Sequence, residues 1–215
     1  MFSAIILLMK ILGIESTVFP EIKVIKFARF ADERGYFTEL YKKSDFEKID
    51  FLKGEIFVQN NESFSKKGVI RGLHFQWNPY QKKLVRVVQG KMIDLFLDIR
   101  IGSPTFGKIG AYKLESKTEN DYGEWIWIPV GFAHGLFLLE DSTIEYCCTS
   151  EYSPNTEASI SPLASDIDWS LADKDISDLY RQSLPTANIN AKDKEGMTLA
   201  QWIKDNRSNF YVYKQ

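Results

Sequence analysis

The chain has 215 residues, a comfortable length for one domain, with 44% hydrophobic and 26% charged residues, the balance of a soluble globular protein rather than a disordered, collagenous or low-complexity one. Its 27 Lys and Arg stand against 29 Asp and Glu for a net charge of −2. A near-neutral chain has no global attraction for phosphate backbones or anionic lipid, so neither nucleic acid nor membrane is an expected partner.

In chain order, the first feature is MFSAIILLMK, apolar from Ala4 to Met9. It lacks a basic flank and a small-residue cleavage site and is too short to span a bilayer, so the expected location is cytoplasmic. Residues 1–8 are either an extra edge strand or sequence ahead of a start at Met9. The period then becomes two. Glu21 to Arg29 alternates, and Lys91 to Asp98 puts Ile93, Leu95 and Leu97 on one face against Asp94 and Asp98 on the other. Glu124 to Ile128 and Thr143 to Thr149 look similar. Turns are expected at Gln89-Gly90, Gly102-Ser103-Pro104 and Pro129-Val130-Gly131, where glycine or proline supplies the needed backbone geometry.

Short strands without long helical stretches between them predict an all-β fold, an antiparallel sandwich or barrel. Helical signals are few: Lys43 to Ile49, and a capping box at Thr198 to Gln201 with Leu199, Trp202 and Ile203 on one apolar face. From about Asp173 to Lys194 the composition is polar and an irregular tail is expected. No second domain is evident, so residues 1–215 are read as one unit with its core at about 10–170 and its tail at about 171–215. The two cysteines, Cys147 and Cys148, are adjacent; on a strand they point to opposite faces and read as reduced packing residues.

Histidine is scarce. His74 lies in Ile70-Arg71-Gly72-Leu73-His74-Phe75-Gln76 and His134 in Pro129-Val130-Gly131-Phe132-Ala133-His134-Gly135. Arg71 and Lys83 flank His74 in apolar, strand-like sequence, where a cation needs a partner. An interior that accepts Arg, His and Lys together suits an anionic or oxygen-rich ligand. A metal centre needs three or four converging ligands; position 76 is Gln and only two histidines exist, so a pocket without metal is the reading. Strict alternation puts Arg71 and His74 on opposite faces, and Gly72 between them permits a bulge that turns both inward.

A series of motifs resembles the dTDP-4-dehydrorhamnose 3,5-epimerase family. These are Phe30-Ala31-Asp32-Glu33-Arg34-Gly35-Tyr36-Phe37-Thr38-Glu39, Gln59-Asn60-Asn61-Glu62-Ser63, Arg71 to Gln76, Lys83 to Gly90, Ser103-Pro104-Thr105-Phe106-Gly107 and Pro129 to Gly135. Tyr146, Tyr152-Ser153-Pro154, Ile167-Asp168-Trp169 and Ala191-Lys192-Asp193 extend the match over roughly residues 10 to 203.

The resemblance implies a cupin-type β-barrel or jelly roll, usually a homodimer, acting without cofactor on a dTDP-linked or other nucleotide-linked 4-keto-6-deoxy sugar. It implies His74 as general base, Tyr146 as general acid and Lys83 beside the 4-keto oxygen. His134 and Arg71 would contact sugar or diphosphate, Arg34 and Glu39 the nucleotide end, and Gln59, Asn61 and Glu157 the ligand. The chemistry explains these types. A proton beside a ketone is acidic because the enolate places charge on oxygen, which a cation stabilises where it forms. Inversion needs a base on one ring face and an acid on the other, and a cation near Tyr146 would ease its deprotonation.

The family pairs its histidine with an aspartate, expected four residues after the position of Ile160; Ala164 stands there, and Asp166 is assigned that role across a shortened stretch. The alternatives are a single-centre epimerase, a 3,4-ketoisomerase on a related sugar, or a non-catalytic nucleotide-sugar binder.

Overall fold

The computed structural model describes residues 10–214, so the expectation for residues 1–8 lies outside them. Among the described residues twelve strands alternate with turns: β1 (Ile11–Ser16), β2 (Lys23–Ala28), β3 (Phe30–Asp32), β4 (Gly35–Phe37), β5 (Gln59–Ser65), β6 (Ile70–Gln76), β7 (Lys83–Asp98), β8 (Ile109–Ser116), β9 (Tyr122–Ile128), β10 (Phe132–Leu138), β11 (Ser142–Cys148) and β12 (Glu157–Ser159). Every pairing between them is antiparallel. The helices are short: α1 (Lys43–Phe46), α2 (Lys174–Ser183), α3 (Ala191–Lys194) and α4 (Leu199–Lys204).

The architecture follows from β7. Sixteen residues at about 3.3 Å each make a strand near 50 Å long, too long to lie flat in one sheet. Its first half pairs with β9 and β11, its second half with β8 and β10. Gly90, at φ +94°, marks the crossing. Gln89-Gly90 is therefore no turn but a bend inside a strand, a correction to the sequence expectation. β7 thus joins one sheet, β1-β2-β9-β7-β11-β5, to a second, β8-β7-β10-β6-β12, which face each other as a jelly roll.

The alternation written in the strands sorts the core into three layers. Val24, Val85, Val87, Phe96, Ile126, Phe132, Leu136 and Ile144, drawn from both sheets, fill the interior. Leu73, Phe75, Ile93, Leu95, Leu97 and Phe137 cover the outer face of the second sheet. Ile25, Phe27, Leu84, Trp125 and Trp127 do the same for the first, under Phe46 and Leu52.

The tail is ordered, contrary to expectation. Asp173 caps α2 by accepting the Asp175 and Ile176 N–H groups, and Tyr180, Ile189, Trp202 and Tyr211 are buried on the second sheet. In α2 only Ser177 and Tyr180 are buried, so a largely polar composition hid an amphipathic helix. The Thr198 capping box forms with Gln201. Leu199 and Trp202 are buried behind it, whereas Ile203 points to solvent.

Candidate active site

The inward face of the jelly roll becomes polar at one end. On β11 the alternation sends Ile144 and Tyr146 inward and Cys147 outward into the layer under α1. Tyr146 pairs in register with Val85 of β7 and Asn61 of β5, and His134 of β10 with His74 of β6. Between Leu136 opposite Arg71 and His134 opposite His74, β6 carries one residue more than β10. This bulge is the one that Gly72 permits. Gly72 sits at φ +113°, and a Cβ there would stand 2.6 Å from Gly135 Cα and 2.8 Å from the His134 carbonyl oxygen. The bulge turns both Arg71 and His74 inward.

Arg71, His74, Lys83, His134 and Tyr146 line one cavity of about 170 Å³. It adjoins a second of about 340 Å³, which shares His74, Lys83 and Tyr146 and adds Gln59, Asn61, Gln81, Tyr152 and Glu157. Eight of the eleven residues singled out from sequence therefore meet around one hollow or its extension. Arg34 does not: it sits at the β3–β4 turn, 82% exposed, paired with Asp32 at 2.5 Å. Glu39 is half-buried outside the cavity lining, its Oε2 without a partner.

Each histidine has a buried carboxylate behind it. His134 Nε2 lies 2.9 Å from Asp94 Oδ2. His74 Nε2 lies 2.8 Å from Asp193 Oδ1, while Asp193 Oδ2 accepts the Gly72 N–H at 3.1 Å. The carboxylate on His74 is thus Asp193, from α3 in the tail, and not Asp166. Asp166 instead accepts the Leu199 and Ala200 N–H groups at 3.2 and 2.9 Å and closes the first turn of α4. With Asp193 on Nε2, Nδ1 of His74 is left for the cavity. On that side Glu157 Oε1 stands 3.9 Å away, while Glu157 Oε2 accepts from Tyr152 at 3.0 Å and Lys192 at 2.5 Å.

These surroundings tune the groups. Burial pushes the Lys83 ammonium below its ordinary range, countered by Cys148, Glu157 and Asp94. Burial pushes the Tyr146 phenol up, and the nearby Arg71 offsets only part of this, so Tyr146 holds its proton more tightly than an exposed tyrosine, contrary to the easing expected from sequence. Burial opposes ionisation of Asp193 too, but the His74 hydrogen bond and charge with the Gly72 N–H outweigh it and hold the carboxyl below its usual range. Glu157 is likewise held down: burial opposes, and Lys192, His74 and Tyr152 prevail.

Asp94, Asp193, Tyr152 and Lys192 were not assigned site roles from sequence. A carboxylate inside the apolar run of β7 signals Asp94, since a buried charge needs a partner. Asp193 lies more than a hundred residues from His74 in a polar tail, and only the fold brings it there.

The profile of the dTDP-4-dehydrorhamnose 3,5-epimerase family matches residues 16–201. The chain belongs to this family. A dTDP-4-dehydrorhamnose 3,5-epimerase of Shigella flexneri is 40% identical over 174 residues, covering 77% of this chain and 93% of that protein. The Neisseria gonorrhoeae enzyme of the same name is 44% identical over 147 residues, 68% of this chain but 43% of that longer protein. Among solved structures, the dTDP-6-deoxy-D-glucose-3,5-epimerase of Legionella pneumophila in complex with dTDP-4-keto-L-rhamnose superposes with a TM-score of 0.77 at 33% identity, covering 94% of this chain and 98% of that one. In the epimerase family's terms, the cavity between β6, β7 and β11 is the candidate active site.

Proposed function

We infer that this protein is an isomerase that inverts C3 and C5 of dTDP-4-dehydro-6-deoxy-D-glucose, giving dTDP-4-dehydro-L-rhamnose through enolate intermediates in nucleotide-deoxysugar biosynthesis. The observation that carries this reading is that His74, Lys83 and Tyr146, from three separate strands, line one sugar-sized cavity, with Asp193 fixing the imidazole from behind.

In this reading Asp193 accepts the Nε2 proton and leaves a lone pair on Nδ1 to take the proton from carbon. Lys83 meets the negative charge growing on the 4-keto oxygen; a buried ammonium does so without the reorganisation that water requires. Tyr146 delivers a proton to the opposite ring face, and the enolate it neutralises is basic enough to take it from a phenol with a raised pKa. His134, oriented by Asp94, and Arg71 hold the sugar and diphosphate, and Gln59, Asn61 and Glu157 line the remainder. Binding energy from the remote nucleotide helps orient the ring.

The reading includes a cytoplasmic homodimer. Edge strands β1 and β5 expose Leu12, Ile14 and Phe64, and the β3–β4 hairpin exposes Tyr36 and Phe37, an apolar surface of the kind two copies cover. Arg34 and Glu39 serve the nucleotide in this reading only across such an interface. Light scattering on the purified protein tests the dimer. The activity is tested by incubation with dTDP-4-dehydro-6-deoxy-D-glucose, borohydride reduction and sugar analysis. L-Rhamnose among the products is expected; recovery of D-configured 6-deoxyhexoses alone overturns the reading.

A further inference from the structure

Two carboxylates flank the His74 ring, and they are not equivalent. Asp193 is fully buried, with one oxygen on His74 and the other on the Gly72 N–H. A proton placed on it has nowhere to go. Glu157 faces Nδ1 through Oε1 at 3.9 Å, and its other oxygen is tied to Tyr152 and Lys192. Tyr152 is 50% exposed and the Lys192 side chain 60%. Glu157 therefore links the reacting nitrogen to solvent. His74 itself is 27% exposed, but that exposed surface is the cavity wall, which a seated sugar covers.

We propose that Glu157 is the proton outlet of His74, resetting the base between the two inversions while the sugar stays bound. The inference rests on the epimerase reading. At each inversion a C–H bond breaks as Nδ1 of His74 gains the proton and the electron pair passes into the enolate. The Tyr146 O–H bond then breaks as the carbon is protonated from the other face. This leaves an imidazolium and a phenolate on opposite sides of the ring, where neither can neutralise the other directly. Glu157 takes the imidazolium proton and passes it to water past Tyr152 and Lys192, and the phenolate regains a proton from water. One proton leaves and one enters, so the balance closes and His74 is again a base. A first inversion starts from a neutral His74 and needs no outlet; the second does.

The prediction is a change in ratio rather than a simple loss. With enzyme in excess over dTDP-4-dehydro-6-deoxy-D-glucose, Glu157→Gln is expected to slow the second inversion relative to the first by at least about tenfold, the scale of a lost proton-transfer group. Singly inverted sugar then accumulates, as NMR of the quenched mixture reads directly. Glu157→Asp keeps a carboxylate and restores part of the ratio, and formate added to the E157Q variant restores the second step by carrying the proton instead. A wild-type ratio in E157Q overturns the proposal. So does an equal loss at both carbons that formate leaves unchanged, because that marks Glu157 as merely structural. A wild-type protein that inverts neither carbon is a different result: it overturns the epimerase reading and the outlet with it.

Discussion

Replacing Asp193 by Asn separates two assignments of the same role. Asp193 accepts two donors on two oxygens, His74 Nε2–H and the Gly72 N–H. An asparagine has one oxygen and one NH2 in their place. If the oxygen keeps Gly72, the NH2 faces Nε2, which must then accept, and the ring proton moves to Nδ1, where it blocks abstraction from carbon. If the oxygen keeps His74, the NH2 opposes the Gly72 N–H inside a fully buried site, which costs about 1–3 kcal/mol for an unsatisfied donor. Loss of the charge-assisted hydrogen bond alone is worth about 1.5–3 kcal/mol, roughly 10- to 150-fold in rate, and the wrong tautomer extends this towards the ~10⁴-fold seen when a catalytic histidine is mis-oriented. Asp166→Asn, by contrast, loses only a carboxylate at the start of α4, worth about 0.3–1 kcal/mol of stability. The assay is kcat for inversion, with thermal unfolding measured on both variants. D193N is expected to lose at least about a hundredfold in kcat while remaining folded, and D166N to stay within about threefold of wild type. A D193N enzyme close to wild type, or a D166N enzyme with the larger loss, refutes the assignment.

Three further outcomes follow from the same geometry. Gly72→Ala places a Cβ against Gly135 and the His134 carbonyl at φ +113°; strain and overpacking cost about 2–5 kcal/mol, read as a melting temperature about 5–15 °C lower. Lys83→Met removes the cation for the enolate and should lower kcat about 10²- to 10³-fold, with dTDP affinity by calorimetry within a few-fold of wild type. Asp98 is fully buried and accepts from Arg100, Ser103 and Thr105; burial opposes its ionisation but these donors hold its carboxyl below the usual range. Its contribution is therefore present above the ordinary carboxylate range and lost as pH falls through the lower folded value. Asp98→Asn should cost about 3 kcal/mol at pH 7, and denaturant melts should show the gap to wild type closing as the pH drops below about 4.

The strands were legible because their chemistry is local. Alternation in β7, β9 and β11 fixes which side chain faces the interior, and it places Tyr146 inside and Cys147 outside with no knowledge of the partner strands. Gly72 announced its bulge for the same reason: only glycine tolerates that backbone beside a close neighbour. Gly90 misled because the same freedom serves a bend within a long strand as well as a turn, and nothing local separates the two. The tail was illegible on two counts. α2 carries only Ile176, Leu179 and Tyr180 as apolar residues in a polar stretch, so its one apolar face is easily passed over. Asp193 reaches His74 only because Tyr180, Trp202 and Tyr211 dock the tail on the second sheet, a long-range event no neighbouring residue records. Asp166 lies two residues past the expected position, which Ala164 occupies, and its carboxylate meets the free N–H groups opening α4 instead.

Deuterium placement in the product tests the central claim most directly. The wild-type protein turning over dTDP-4-dehydro-6-deoxy-D-glucose in D2O should give a sugar carrying deuterium at both C3 and C5 in the inverted configuration, with both labels lost in the Lys83→Met variant on the same timescale. A sugar that binds yet keeps its original hydrogens and configuration at both carbons contradicts it.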